Sequence, residues 1–202
     1  MGELPDLVFK YQSRRYVRRG NRLLVYEGEG DKLVSEFVLN SRGLKGSGEY
    51  PEYDDIFEGH LTSYLREHPT STVLDVAGGV ESQAVRDISK DFHEVRAVNL
   101  DIAVGQDPAF RGHPAILGDM YQMPIKPNSI DAAICVYMVQ AIPHQIDYIK
   151  IAKEVHRVLK PEGRFFVNGL FSVVMEDEKY NGFKSLGIPL GLRYEARILI
   201  KQ

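Results

Sequence analysis

Apolar positions along the chain follow two rhythms, and the change of rhythm divides it. Between residues 11 and 39, short β-rich runs are split by turns: Tyr16 to Arg19 and Arg22 to Tyr26 flank Gly20-Asn21, and Leu33 to Leu39 follows Glu27-Gly28-Glu29-Gly30-Asp31. Such hairpin signals predict a small antiparallel β-meander. Ser41 to Gly48 is rich in glycine and serine and predicts a flexible connector, a linker or a lid. Beyond it the pattern alternates. Tyr53, Ile56, Phe57, Leu61, Tyr64 and Leu65 keep helical spacing from Pro51 to His68, with Pro69 as the stop. Val73 to Val76 is a strand, followed from about Glu81 by a helix with Ala84, Val85, Ile88 and Phe92 on one face. Val95 to Leu100, Ala115 to Leu117 and Ile130 to Met138 are further strands, ending respectively at Asp101, at Gly118-Asp119 and in the apolar run itself. Ile146, Ile149, Ala152, Val155, Val158 and Leu159 mark a helix stopped by Lys160-Pro161-Glu162-Gly163, and Arg164 to Val167 is the fifth strand. Val173 to Leu186 reads as partly helical, and the alternation from Tyr194 to Ile200 as a final strand, antiparallel at an edge. Near-continuous apolar strands alternating with helices predict an α/β fold whose mostly parallel sheet is covered on both faces. The expected division is residues 1–48 for the meander and connector and 49–202 for the α/β domain.

Composition narrows the class. A chain of 202 residues with a 44% hydrophobic and 26% charged share is ordinary for a globular protein. Its net charge of −3 gives no global attraction to nucleic acid or an anionic membrane. The single cysteine, Cys135, excludes an intramolecular disulfide and a cysteine zinc cluster and favours a reducing compartment. Glu3, Pro5 and Asp6 stand where a signal peptide would be basic and then apolar, and no run approaches the roughly 18 apolar residues of a membrane span. The expectation is a soluble cytoplasmic protein. His60, His68, His93, His113 and His156 show no metal-ligand spacing, so no metal site is expected. Arg14, Arg15, Arg18, Arg19 and Arg22, near Tyr11 and Tyr16, admit two readings: a footprint for a phosphate-bearing partner, or a solvated or charged edge face that blunts strand aggregation.

The chemistry concentrates around Ser71 to Ser82. Three apolar residues, Asp75 and the adjacent Gly78-Gly79 form a strand turning tightly into a helix, the place where open α/β sheets bind nucleotide-like ligands. Further landmarks follow in order: Asp101 after the second strand, Gly118-Asp119-Met120 with Met123-Pro124, Asn128-Ser129-Ile130-Asp131 opening the fourth strand, and Val158-Leu159-Lys160-Pro161-Glu162-Gly163-Arg164 before the fifth. Together they resemble the class I S-adenosylmethionine-dependent methyltransferases over roughly residues 53–170. The resemblance implies a Rossmann-like sheet of seven strands with an antiparallel last strand, and S-adenosylmethionine as cofactor.

The resemblance also implies roles for residues. Asp75 accepts hydrogen bonds from the backbone of the turn or from a ligand ammonium. Gly78 and Gly79 free the backbone and clear space for the ligand. Asp101 holds the ribose hydroxyls of the cofactor, with Ile102 beside the adenine; its alternative is a solvated loop aspartate. Asp119 and Met120 match the adenine-side pair, with a helix N-cap as the alternative for Asp119. Asp131 and Arg164 lie at the amino edges of their strands and read as structural.

Two departures stand out. Ala77 and Glu81 occupy positions where the first motif usually carries glycines. Alanine there is mild if its torsion is negative. Glu81 admits three readings: it obstructs the methionine end of the cofactor, swings aside as a first-turn acid, or meets the ligand ammonium. On the acceptor side, His144 is the candidate general base and Tyr137 a candidate hydrogen-bond partner, and a loop or capping histidine is the alternative for His144. The expected activity is methyl transfer to a small-molecule acceptor, since no large recognition domain is appended. Two rivals remain: a non-catalytic binding protein on the same fold with an altered cofactor pocket, and a nucleic-acid or protein methyltransferase docking through the arginine-rich hairpin.

Overall fold

A computed structural model describes residues 8–11, 14–19, 22–28, 32–38, 56–79, 82–102, 113–136, 147–168, 182–186 and 196–202. The first four strands, β1 (Val8–Tyr11), β2 (Arg14–Arg19), β3 (Arg22–Glu27) and β4 (Lys32–Val38), pair in chain order as an antiparallel meander. The meander has one strand more than the turn signals predict, because β1 is too short to show alternation. The Arg-rich strand β2 is an interior strand of this sheet, so its arginines do not guard an edge.

The second sheet has seven strands. β5 (Thr72–Val76), β6 (Arg96–Asp101), β7 (Ala115–Leu117), β8 (Ile130–Cys135) and β9 (Leu159–Val167) are mutually parallel. β11 (Arg197–Lys201) runs antiparallel to β9, and β10 (Phe183–Ser185) adds outside it. The spatial order is β10-β11-β9-β8-β5-β6-β7. The order reverses at β5, so the switch point of the sheet lies beside the carboxyl end of the strand that carries Asp75.

Strict alternation along each strand sends side chains to two cores. Leu74, Val76, Ala133, Cys135, Phe165, Val167 and Leu199 pack on one face beneath α3 (Tyr148–Val158), through Ile151, Ala152, Val155 and Val158. Val73, Ala132, Ile134, Phe166 and Ile198 pack on the other face beneath α1 (His60–Glu67) and α2 (Gln83–Asp91). Phe166 lies edge-on to Phe57 with ring centroids 5.3 Å apart. Each fully buried side chain of this size contributes about 1.5–3 kcal/mol. Burial on both faces accounts for the nearly unbroken apolar runs in the sequence.

Three elements differ from expectation, each for a local reason. The helix predicted from Pro51 to His68 is interrupted at Phe57 to Gly59, where Glu58 and Gly59 adopt left-handed torsions (φ 50° and 80°), and resumes as α1 at His60; residues 51–55 lie outside the described residues. The Lys160-Pro161-Glu162-Gly163 stop lies within β9, where Glu162 at φ 63° shifts the register against β8. Phe183 to Ser185 is a strand rather than part of a helix, hydrogen-bonded to β11.

Candidate cofactor site

The turn after β5 is closed by side chains from two neighbouring elements. The Ala77 N–H donates to the Leu100 carbonyl at 2.8 Å, folding the chain over the end of β6. The Gly79 N–H donates to Asp101 Oδ2 at 3.0 Å, and Asn99 Nδ2 donates to the Gly79 carbonyl at 2.7 Å. Both polar groups of Gly79 are thus held by residues of β6. Ser82 caps α2: its Oγ accepts from the Val85 N–H at 3.4 Å and donates to Asp75 Oδ2 at 2.9 Å.

The two glycines do different work. A Cβ on Gly78 would stand 2.1 Å from Asp75 Oδ2, so Gly78 is required for the turn to close over the carboxylate. Gly79 has φ 72°, and a Cβ there would meet nothing within 4 Å among the described residues. Ala77 also has a positive φ, 59°, against the negative torsion that would make alanine mild. A left-handed alanine costs roughly 1–2 kcal/mol, so the turn keeps a glycine-like shape against a penalty.

Asp75 is 1% exposed, and its Oδ1 has no hydrogen-bond partner among the described residues. Burial pushes its carboxyl up to about 7; the Ser82 hydrogen bond opposes the rise and the charge of Asp101 reinforces it. Asn99 stands beside Asp75 in register on β6, and its Oδ1 is likewise buried without a partner among the described residues. Two orphaned acceptors behind a glycine turn, at the carboxyl ends of adjacent strands, fit a ligand that brings N–H and O–H donors. Ser82 and Asn99 belong to this constellation, though neither was predicted for it. Ser82 carried a readable signal as a cap residue before a helix; Asn99 inside an apolar strand carried only its polarity.

The third strand brings Asp119 and Met120 to the same end of the sheet. Asp119 is buried, and its Oδ1 accepts from the Tyr121 N–H at 2.8 Å, so it closes a tight turn and not a helix. That loop is fastened to α3. Met123 N–H donates to Glu154 Oε2 at 2.9 Å, Arg157 donates to the carbonyls of Met123 and Ile125 at 3.0 and 2.8 Å, and the Arg157–Glu154 ion pair closes at 2.8 Å. The Asp147 N–H donates to the Tyr121 hydroxyl at 3.1 Å. Met120 is half-buried against the α3 core. Ile102, half-buried, directly follows Asp101. Asp75, Ala77, Gly78, Gly79 and Asp101 therefore form one cluster, with Asp119 and Met120 along the same edge of the sheet. Glu81, Tyr137 and His144 lie outside the described residues. Among the described residues no group of three His, Cys, Asp or Glu is placed to hold a metal, and no helix is long and apolar enough to cross a membrane.

The strand order and the β5–α2 turn define a Rossmann-like fold of the methyltransferase type. Residues 74–167 match the family model of a methyltransferase domain. The chain is 29% identical over 158 residues to the ubiquinone/menaquinone biosynthesis C-methyltransferase UbiE of Brucella suis biovar 1 (strain 1330), covering 72% of this chain and 57% of that protein. With the protein of the same name from Brucella anthropi it shares 32% identity over 145 residues, 66% of this chain and 52% of that one. The chain thus spans just over half the length of these curated relatives. Among solved structures, the PH0226 protein of Pyrococcus horikoshii OT3 has the same fold, with a TM-score of 0.54 at 19% identity over 77% of this chain and 92% of that one.

Proposed function

We propose that this protein transfers a methyl group from S-adenosylmethionine to a small-molecule acceptor. The observation that carries the reading is the closure of Gly79 by Asp101 and Asn99 beside the buried Asp75, which leaves two acceptor atoms without donors among the described residues. When bound, the cofactor supplies a methyl carbon made electrophilic by its sulfonium.

Asp101 takes the ribose hydroxyls, Asp119 and the Met120 backbone take the adenine edge, and the turn from Asp75 to Gly79 receives the methionine end. With no side chain, Gly79 lets the backbone come close to that end. Holding an acceptor in line with the methyl carbon supplies most of the rate enhancement through positioning. His144 and Tyr137 serve the acceptor side: Tyr137 orients the acceptor, and His144 removes the proton where the accepting atom must lose one. The relatives' names, C-methyltransferases of ubiquinone/menaquinone biosynthesis, support a small organic acceptor.

The test is calorimetric titration of the native chain and of Asp101→Ala with S-adenosylmethionine and S-adenosylhomocysteine. Binding of both ligands by the native chain and marked weakening in the variant are expected. Absence of heat and of thermal stabilisation at millimolar ligand overturns the proposal. Glu81→Gly sorts the three readings of that residue: gained affinity marks it as obstructive, lost affinity as a contact, and no change as a first-turn acid.

A further inference from the structure

We infer that Glu154 and Arg157 of α3 are positioning residues for the base of the methyl donor: their ion pair holds the loop from Gly118 to Ile125 in the shape that selects adenine. This rests on the methyl-transfer reading proposed above and adds to it two side chains of a helix that carries none of the residues assigned to the cofactor. On a helix surface an i,i+3 ion pair contributes little. Lys150 and Asp147 form such a pair at the start of α3, 3.5 Å apart, with side chains 63% and 42% exposed.

Glu154 and Arg157 are built differently. Arg157 meets Glu154 with two bonds, Nε to Oε1 at 2.9 Å and Nη2 to Oε2 at 2.8 Å, and the arginine and glutamate side chains are 35% and 19% exposed. The same groups reach off the helix to three backbone positions of the β7–β8 connection. The Met123 N–H donates to Glu154 Oε2 at 2.9 Å, Arg157 Nη2 donates to the Met123 carbonyl at 3.0 Å, and Nη1 donates to the Ile125 carbonyl at 2.8 Å. A surface connection can leave such groups to water. Here one helix takes them with two charges, and the planar fork of the arginine fixes both carbonyls together.

The parts held in this way lead to the nucleoside side of the site. Pro124 lies between the two clamped residues and packs against Gly118, where a Cβ would stand 2.7 Å from Pro124 Cδ and 2.9 Å from Leu100 Cδ1. Gly118 donates its N–H to the Asp101 carbonyl at 3.3 Å and directly precedes Asp119-Met120. The Asp119 carbonyl in turn accepts from the Gln122 N–H at 3.0 Å, one residue before the clamp begins. The groups assigned to the ribose and to the adenine edge are therefore backed by a loop whose far end is set by α3. Such an edge tells one base from another only while its donors and acceptors keep their places to a fraction of an ångström.

The test is calorimetric titration of the full chain, well below the Tm of each variant, with S-adenosylhomocysteine and with S-inosylhomocysteine, in which an oxygen replaces the exocyclic amine. The native chain should prefer the adenine ligand by at least about 10-fold, the worth of one hydrogen bond to a charged group. Arg157→Gln should cut that preference to about threefold or less while changing the affinity for the inosine ligand by no more than about threefold. Glu154→Gln keeps an acceptor for the Met123 N–H and for Arg157, and should retain most of the preference that Glu154→Ala loses. Should Arg157→Gln fail to fold, Arg157→Lys keeps the charge without the fork and should still lose part of the preference. A pair that only stabilises the fold would lower the Tm and leave the choice of base intact in every folded variant; that result, or a native chain that binds both ligands equally, overturns the inference and leaves the methyl-transfer reading standing. A native chain that binds neither ligand overturns both.

Discussion

The two ends of the seven-stranded sheet treat the same kinds of polar group in opposite ways. At the amino ends, Asp131 accepts from the Thr72 N–H at 2.8 Å and from Lys160 Nζ at 2.8 and 2.9 Å. Lys201, buried there as well, donates to Asn128 Oδ1 at 2.7 Å and to the Leu159 carbonyl at 2.8 Å. At the carboxyl ends, Asp75 is more deeply buried than Asp131, yet one of its oxygens lacks a donor among the described residues, and Ala77 holds an unfavourable torsion above it. At the amino ends the charged groups are paired within the fold and the buried Ser71 Oγ is left without a partner among the described residues; at the carboxyl ends it is a buried carboxylate that lacks a donor. A carboxylate left short of donors costs far more than a hydroxyl, and its end of the sheet is the one shaped for a ligand.

Asp75→Asn should move stability most. A buried acid whose pKa rises on folding holds its proton more tightly in the native state, so its ionisation opposes folding. Stability is intact below the unfolded value of 3.8, falls as pH rises, and levels off above about 7. At about 1.4 kcal/mol per unit the loss across that window reaches at most about 4 kcal/mol. Urea unfolding should show the variant and the native chain nearly equal at pH 4 and the variant more stable at pH 8. A variant that is less stable at pH 8 would mean that the carboxylate is partnered within the fold, and the contrast between the two ends would fail.

Asp101→Ala comes next. Hydrogen bonds to a charged group are worth about 1.5–3 kcal/mol each, so losing the carboxylate should weaken S-adenosylhomocysteine binding by about 100-fold. Asp131→Ala sharpens the same contrast from the other end. It removes the acceptor of the Thr72 N–H and the partner of Lys160, and should lower stability by about 1–2 kcal/mol while leaving ligand affinity unchanged. Equal losses of affinity in the two variants would show that the ends are not functionally distinct.

Much of this architecture is legible along the chain, because a parallel sheet buried on both faces writes its strands as apolar runs, and a carboxylate or glycine closes each run where the site lies. Asp75, Gly79, Asp101 and Asp119 stand out for that reason. Pairing order is written less plainly. Nothing in the alternation of Arg14 to Arg19 tells an interior strand from an edge, and Phe183 to Ser185 is too short to declare itself a strand. Torsions are written least of all. Ser82 at φ 32° reaches Asp75 because of how the turn bends, and Glu162 at φ 63° lets β9 continue through a segment that reads as a stop.

Ala77 is the smallest test and the most specific to the turn. At φ 59° an alanine pays roughly 1–2 kcal/mol that glycine does not, while glycine gives back about 0.4–1 kcal/mol through the greater freedom of its unfolded chain. Ala77→Gly should therefore raise stability by about 0.5–1 kcal/mol, read as a shift of the urea midpoint without a change in slope. Its effect on ligand affinity should stay within about twofold, since the turn already has the shape that glycine would allow, with the Ala77 N–H on Leu100 and the Gly79 N–H on Asp101. A large gain in affinity would show instead that the alanine methyl group stands in the ligand's way, and would place the altered first motif among the causes of weak cofactor binding. A loss of stability would show that the methyl packs, since Ala77 is half-buried against the α3 core, and that this packing outweighs the torsion.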